Sequence, residues 1–450
     1  MKKLKFIALI SIVFVFCAIL FSCGEEETKK KNYPTKTLNV YNWGEYISDE
    51  DDEECGLFDV LTGFEDYFNE NLADKYECYI EVNYSTYANN EDMYSKITNS
   101  AVAYDIVVPS DYMIQKMIDA NMLLKIDTSK LSNYGNISDD FKGLYYDPTD
   151  SYSVPYTYGM LGVICNSEFV DAADIEKESW GLLWDEKYEG KILQFNNPRD
   201  AFGSAMYWKN LDVNSKDPAV WSQALDLLLQ QKPLLQGYVN DEIFNKMRGA
   251  SAYIAPYFAG DFLTMAVANE DLTFYYPKEG TNYFVDAMCI PKTSKNPDLA
   301  HEYINYMISL EAATANALYI GYASPNEAVT SSDYYKEMLA MNYDTDNISA
   351  WDILYGKTKD EANANYSHNP AYEDYYKSET VDIQAHVNTL WESLKTENAT
   401  EPWIHVTSGV ILGAVIFFSV YVVVIRKRRS RDYRLRDREL KKAKMAKQKQ

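Results

Sequence analysis

The stretch LNVYNWGEYI, residues 38–47, decides the fold class. Leu38 and Val40 alternate with polar or mixed neighbours, as in a strand with one buried face. The alternation stops at Asn42, and Trp43, Glu45 and Tyr46 then crowd around Gly44. Aromatic rings and a carboxylate gathered past the carboxyl end of a strand describe the rim of a ligand cleft in an open α/β sheet.

The same organisation recurs along the chain. DIVVPSDYM ends a second apolar run with Ser110, Asp111 and Tyr112, where Ser110 or Asp111 is placed to cap a following helix. LQFNNPRDAF supplies Asn197 and Asp200, YIAPYFAGDF supplies Tyr257 and Phe258, GTNYFVDAM supplies Phe284 and Asp286, and YIGYASPN supplies Tyr322. The strand candidates are LNVYN, YIEVNYS, YDIVVPS, LGVICNS, KILQFN, ASAYIAP, LTFYYP and DAMCIP. Helix-like segments fall at 58–71, 91–100, 112–120, 219–230, 241–248, 297–307 and 383–395. Alternation of the two predicts an α/β protein with largely parallel sheets. With 450 residues, 47% of them apolar, two lobes suit the chain better than one core.

Aromatics and acids together point to a cationic ligand. An ammonium group gains about 0.5 to 2 kcal/mol over an aromatic face. A carboxylate adds charge-assisted hydrogen bonds that offset desolvation. A long oligoamine asks for aromatic walls along its methylenes and an acid near each nitrogen. For any one ring the alternative is plain core filling, since aromatics are 14% of the chain. Their joint position at strand ends argues otherwise.

The ends of the chain differ from its middle. Residues 1–22 carry a lysine-rich start and a long apolar run, a secretory signal, and LFSC at 20–23 resembles a bacterial lipobox in which Cys23 is lipidated. Phe21 is bulkier than that motif usually carries, and the alternative is an uncleaved anchor with an incidental cysteine. Residues 403–425, free of Asp, Glu, Lys and Arg, are long enough to cross a bilayer. The basic tail at 426–450 then belongs on the cytoplasmic side, with the rest of the mature chain outside. Setting tail and signal aside, the net charge of −24 becomes roughly −37 on the external part. That argues strongly against nucleic acid and anionic surfaces and favours cationic partners, although acidity also serves plain solubility.

Cysteine and histidine usage says little more. Cys55 and Cys78 flank a helix-like insertion and are one possible disulfide, while Cys165 and Cys289 sit in apolar strands as buried thiols. The acidic run SDEDDEEC at 48–55 lacks the glycine turn of a calcium loop and reads as a solvated face. The polar, tyrosine-rich 356–376 reads as an insertion or link. The histidines at 301, 368, 386 and 405 form no metal spacing, and neither GxSxG nor a phosphate loop occurs. No metal, cofactor or catalytic residue is expected, and the protein reads as a binder, not an enzyme.

The motifs VYNWGEY, YSTYANNEDMYSKI, YDIVVPSDYMIQKM, LLKIDTSKL, YSVPYTYGMLGV, YPKEG, VDAMCIP and IGYASPN, in this order, resemble the spermidine/putrescine-binding receptors of bacterial polyamine ABC importers. The resemblance runs over about residues 37–394. It implies a type II periplasmic-binding-protein fold, two lobes joined by a hinge, here with an added C-terminal transmembrane helix. Residues 37–160 with 285–330 would form the first lobe and 161–284 with 331–398 the second, with hinge crossings near 160–164 and 284–287. A lipoprotein signal peptide (1–22), lipidated linker (23–36), transmembrane helix (403–425) and cytoplasmic tail (426–450) complete this division.

Carried over, the resemblance makes Trp43, Tyr46, Tyr112 and Tyr322 walls of the polyamine slot and Ser110 a polar contact; Glu45, from the same strand end as Trp43 and Tyr46, is a further ligand-binding candidate. Asp286 holds an inner or terminal nitrogen and Asp200 lies near one end. Phe258 and Phe284 stand where tryptophan is frequent, which implies a wider slot and weaker cation-π contacts. Gly44 stands where a polar residue is common. Asn197 replaces an acid that commonly pairs with the first amine, and Asp111 is a candidate to compensate. The implied function is capture of spermidine and/or putrescine outside the cytoplasm and delivery to the permease and ATPase subunits of an ABC importer, with the receptor held at the cell membrane. The alternatives are a receptor for another solute on the same fold, such as a cationic amino acid, a compatible solute or a metal complex, or a membrane-tethered sensor or adhesion module.

Overall fold

Thr35–Trp43 forms the first strand, β1, with Leu38 and Val40 fully buried as their alternation requires. The computed structural model describes residues 31–99, 102–358, 360–362, 364–366 and 383–396. The remaining strands are β2 (Tyr79–Tyr87), β3 (Ile106–Val107), β4 (Ser153–Asn166), β5 (Ile192–Phe195), β6 (Leu235–Val239), β7 (Ile254–Phe258), β8 (Leu272–Tyr275), β9 (Thr281–Cys289) and β10 (Ala364–Tyr366). All ten form one sheet of order β2-β1-β3-β9-β4-β7-β5-β6, with β10 on β9 and β8 on β4. These strands belong to a unit ending at Val387, and residues from Asn388 belong to a second.

The sheet is mixed, which corrects the expectation of largely parallel pairing. β1 pairs in parallel with β2 and β3, and β5 with β6 and β7. Between these parallel groups, β4 runs antiparallel to β7, β8 and β9, and β3 antiparallel to β9. The reason is topological: β4 carries the chain out of one group, and β9 brings it back in the opposite direction. Residues Ser153 to Met160 of β4 pair with β9, whereas Leu161 onward pair with β7 and β8. Phe284 to Ala287 lie within β9 and are paired with β4.

A register shift between Pro155 and Thr157 sets Thr157 opposite Asp286. Such a bulge re-aims side chains, because the pleat alternates with every residue. Strand β3 is shorter than YDIVVPS suggested: Pro109 has no N–H to donate, and the helix Asp111–Asp119 follows at once. Ser110 stands at the N-cap of that helix but makes no side-chain cap bond. Its Oγ instead accepts from Asn90 Nδ2 at 3.1 Å.

The expected helices are present as Val60–Asn71, Asn90–Asn99, Asp111–Asp119, Pro218–Gln231, Glu242–Arg248, Pro297–Met307 and Ile383–Thr396. Helices Pro198–Trp208, Ala259–Ala266, Leu310–Ile320 and Asp333–Tyr343 join them. In the first, Asn197 Oδ1 accepts from Asp200 N at 2.9 Å, and Pro198 fits the first turn, where its missing N–H costs nothing.

No disulfide joins Cys55 to Cys78, which corrects that expectation, and Cys165 and Cys289 are buried thiols as expected. Cys78 is fully buried at the head of β2, while the Cys55 carbonyl is held by Asn342 Nδ2 at 3.1 Å. In the acidic run, Asp52 accepts from the amides of Glu54 and Cys55, and no cluster among the described residues is suited to a metal. The signal at 1–22, Cys23, the apolar span at 403–425 and the basic tail lie outside the described residues. Among those described, no helix is long and apolar enough to cross a membrane.

Candidate functional site

Asp286 is the centre of the site. Strand β9 delivers it opposite Thr157, and a backbone bridge sets it beside Ser110, the residue just before the helix Asp111–Asp119. Tyr46 reaches it from the turn after β1, where Glu45 adopts a left-handed backbone at φ 53°. The Tyr46 hydroxyl donates to Asp286 Oδ2 at 2.6 Å and lies 2.5 Å from Thr157 Oγ1. Asp286 is 4% exposed, yet its Oδ1 has no hydrogen-bond partner among the described residues. Burial pushes this carboxyl up to about 6, with Ser110 and Tyr46 restraining the rise. Burial and the neighbouring carboxylate push the Tyr46 phenol well above its usual value, so it remains a donor.

A second acid approaches from the helix Ala259–Ala266. Asp261 Oδ2 accepts from the Tyr322 hydroxyl at 2.7 Å, and burial raises its carboxyl to about 7. A Cβ on Gly260 would lie 2.0 Å from the Tyr322 ring, so only glycine permits this approach. Tyr46 and Tyr322 meet edge to face at 5.4 Å. Phe284 lies 6.0 Å from Tyr322, and Phe258 5.5 Å from Phe284 and 6.5 Å from Tyr322. The two acids are thus linked through Tyr46 and Tyr322, with Phe284 and Phe258 packed against Tyr322. Behind them lies a small cavity lined by Tyr158, Gly159, Met160, Gly260, Phe284 and Tyr322.

A second group of predicted residues gathers around Arg199. Its guanidinium lies 3.8 Å from the centroid of the Tyr112 ring. Asp111 is buried, accepts from the amides of Tyr112 at 2.6 Å and Val285 at 3.2 Å, and rises to about 7 through burial, opposed by the charge of Arg199. Asp200 accepts from Asn197 Nδ2 at 3.0 Å and rises to about 6 by burial, opposed by Asn197 and Arg199. The Tyr112 hydroxyl donates to Glu91 at 3.0 Å. Trp43 leans on Tyr87 at 4.6 Å and donates its indole N–H to the Val108 carbonyl at 2.9 Å. Glu45 is exposed and accepts from the Tyr319 hydroxyl at 3.4 Å.

The family model for a bacterial extracellular solute-binding protein matches residues 103–350, more than half the chain. The chain belongs to that family. This solute-binding protein is 32% identical over 293 residues to the spermidine/putrescine-binding periplasmic protein of Escherichia coli (strain K12), covering 65% of this chain and 78% of that one. A solved structure from Listeria monocytogenes, described as a candidate spermidine/putrescine ABC transporter, is 32% identical with a TM-score of 0.66, covering 80% of this chain and 99% of that one. The spermidine/putrescine ABC transporter substrate-binding protein PotD from Streptococcus pneumoniae is 31% identical with a TM-score of 0.60, at the same coverage. A model for a hypothetical lipoprotein family also matches residues 55–145.

In this solute-binding protein, three further residues belong to the candidate site: Thr157, Asp261 and Arg199. Thr157 sits at a bulge that no periodicity announces. Asp261 lies in the first turn of the helix Ala259–Ala266, and FAGD continues directly from Phe258. Arg199 lies within LQFNNPRDAF, between Asn197 and Asp200.

Proposed function

We propose that this solute-binding protein is the extracytoplasmic receptor of a polyamine ABC importer, enclosing spermidine and/or putrescine between two lobes that close about a hinge. The observation that carries the reading is the buried Asp286 carboxylate, whose Oδ1 has no hydrogen-bond partner among the described residues, beside the contiguous rings of Tyr46, Tyr322, Phe284 and Phe258. An unpaired buried carboxylate is costly unless a cation meets it. An ammonium supplies the missing donors, and the rings cover the methylenes between charged ends while their faces favour the charge.

In this reading Asp286 and Asp261 hold two ammonium groups and the four rings line the slot. Ser110, Trp43, Tyr112, Asn197, Asp200, Asp111 and Glu45 stand around its ends. Closure is selected because the ligand contacts both sides only in the closed form. The receptor hands its ligand to permease and ATPase subunits and turns nothing over. Lipid on Cys23 and the span at 403–425 hold it at the cell membrane, with the tail inside. Carbonate extraction after Cys23→Ala tests the second anchor, which fails if the protein then leaves the membrane.

Isothermal titration of the full-length protein with putrescine, spermidine, choline and arginine tests the reading. Saturable binding of a polyamine is expected; binding only of choline or arginine assigns the fold to another cationic solute.

A further inference from the structure

We infer that Asn90 is a positioning residue of the binding site, whose buried amide holds the Ser110 and Tyr112 hydroxyls together and fixes which way each gives its proton. This rests on the polyamine reading above. Asn89 and Asn90 stand side by side where β2 gives way to the helix Asn90–Asn99, and they divide the work. Asn89 Oδ1 accepts from the Asp92 amide at 2.8 Å, as a helix-capping asparagine does. Asn90 is only 4% exposed and turns inward. Its Oδ1 accepts from Ser110 N at 3.3 Å, and its Nδ2 donates to Ser110 Oγ and to the Tyr112 hydroxyl, each at 3.1 Å. Because a backbone N–H can only donate, the Ser110 amide settles which end of the Asn90 amide faces it.

The consequence is a direction for two hydroxyls. A hydroxyl has one proton and two lone pairs, and an amide NH₂ only donates. At each oxygen a lone pair therefore faces Asn90 and the proton points elsewhere. Tyr112 gives its proton to Glu91 Oε1 at 3.0 Å. Ser110 makes no cap bond to its own helix, and an antiparallel bridge sets it beside Asp286. An ammonium brings donors and no acceptor, so a hydroxyl helps to hold it only if the hydroxyl proton goes elsewhere. Asn90 imposes that arrangement before a ligand arrives, which removes part of the ordering cost of binding. An aspartate at position 90 has the same shape and the opposite effect. It keeps an acceptor for Ser110 N but draws both hydroxyl protons to itself. Its added negative charge, taken alone, favours a polyammonium ligand, so the two effects have opposite signs.

The test is titration calorimetry with putrescine and spermidine on the full-length protein, carrying Asn90→Asp in two backgrounds: wild type, and Ser110→Ala with Tyr112→Phe, which lacks both hydroxyls. In wild type the substitution should weaken binding by about tenfold or more, despite the added negative charge, as loss of hydrogen-bond direction at a charged ligand predicts. In the second background the loss should shrink to about twofold or less, or turn into a gain, as double-mutant cycles show for groups that act through one another. Should Asn90→Asp fail to fold, Asn90→Ala carries the expectation of a loss in wild type and little change in the second background. Unchanged or tighter binding by the variant in wild type, or an equal loss in both backgrounds, overturns the inference and leaves the receptor reading standing. Heat from neither amine with wild type overturns both.

Discussion

The Tyr46 hydroxyl donates to Asp286 Oδ2 at 2.6 Å, joining the turn after the first strand to the middle of the ninth. The bond makes one carboxylate oxygen a fixed acceptor and leaves the other, Oδ1, without a hydrogen-bond partner among the described residues, while the Ser110 hydroxyl also acts on this carboxyl. Tyr46→Phe removes this donor and keeps the ring. Polyamine affinity should fall by about tenfold, the net worth of a hydrogen bond to a charged group. The Asp286 carboxyl should also titrate above its present value of about 6, which carbon-detected NMR of the side chain reads directly.

Affinity should depend on pH with a definite sign. Burial raises Asp286 and Asp200 to about 6 and Asp111 and Asp261 to about 7, while the amines of a polyamine stay protonated from pH 5 to 7. Binding therefore weakens as pH falls through 7 to 5, and at pH 6 to 7 it releases protons. Calorimetry in buffers of different ionisation enthalpy measures that release.

The same shifts predict the opposite trend for stability without ligand. Each carboxyl has a folded value raised above its unfolded 3.8, so its contribution is fully present below about pH 4 and is lost as pH rises through 6 and 7. In melts across this window, these groups should lower the midpoint toward alkaline pH. Saturating polyamine should flatten that loss by pairing the ionised forms.

Gly260→Ala should be poorly tolerated despite the small change. Its Cβ would stand 2.0 Å from the Tyr322 ring and 2.8 Å from the Gly321 carbonyl, so ring or backbone must move. Overpacking of this kind costs about 1 to 3 kcal/mol. Denaturant unfolding should show that loss, and titration a weakening from the displaced Tyr322–Asp261 pair.

Much of this was legible in the sequence, for identifiable reasons. Strands β1 and β2 announce themselves because one face is buried and the alternation survives. The acids and rings past strand ends were legible because charged and aromatic residues are conspicuous where a strand stops. β4 is legible only from Leu161 onward: SVPYTYG holds a proline and a glycine, and the register shift between Pro155 and Thr157 breaks the period. β6, LQGYV, carries a glycine and little alternation. The mixed sheet was missed because strand direction depends on partners far along the chain. Asp261 and Arg199 were hidden for another reason, since a charge within a helical turn reads as solvated until tertiary contacts aim it inward.

The measurement that tests the central claim most directly is calorimetric titration of polyamine into the full-length Asp286→Asn variant beside wild type, with a melt of each. The account predicts a loss of affinity of about 30-fold or more, as expected when one partner of a buried charge pair is removed, with the unliganded variant folded at least as stably. Affinity within twofold of wild type in a folded variant would contradict it.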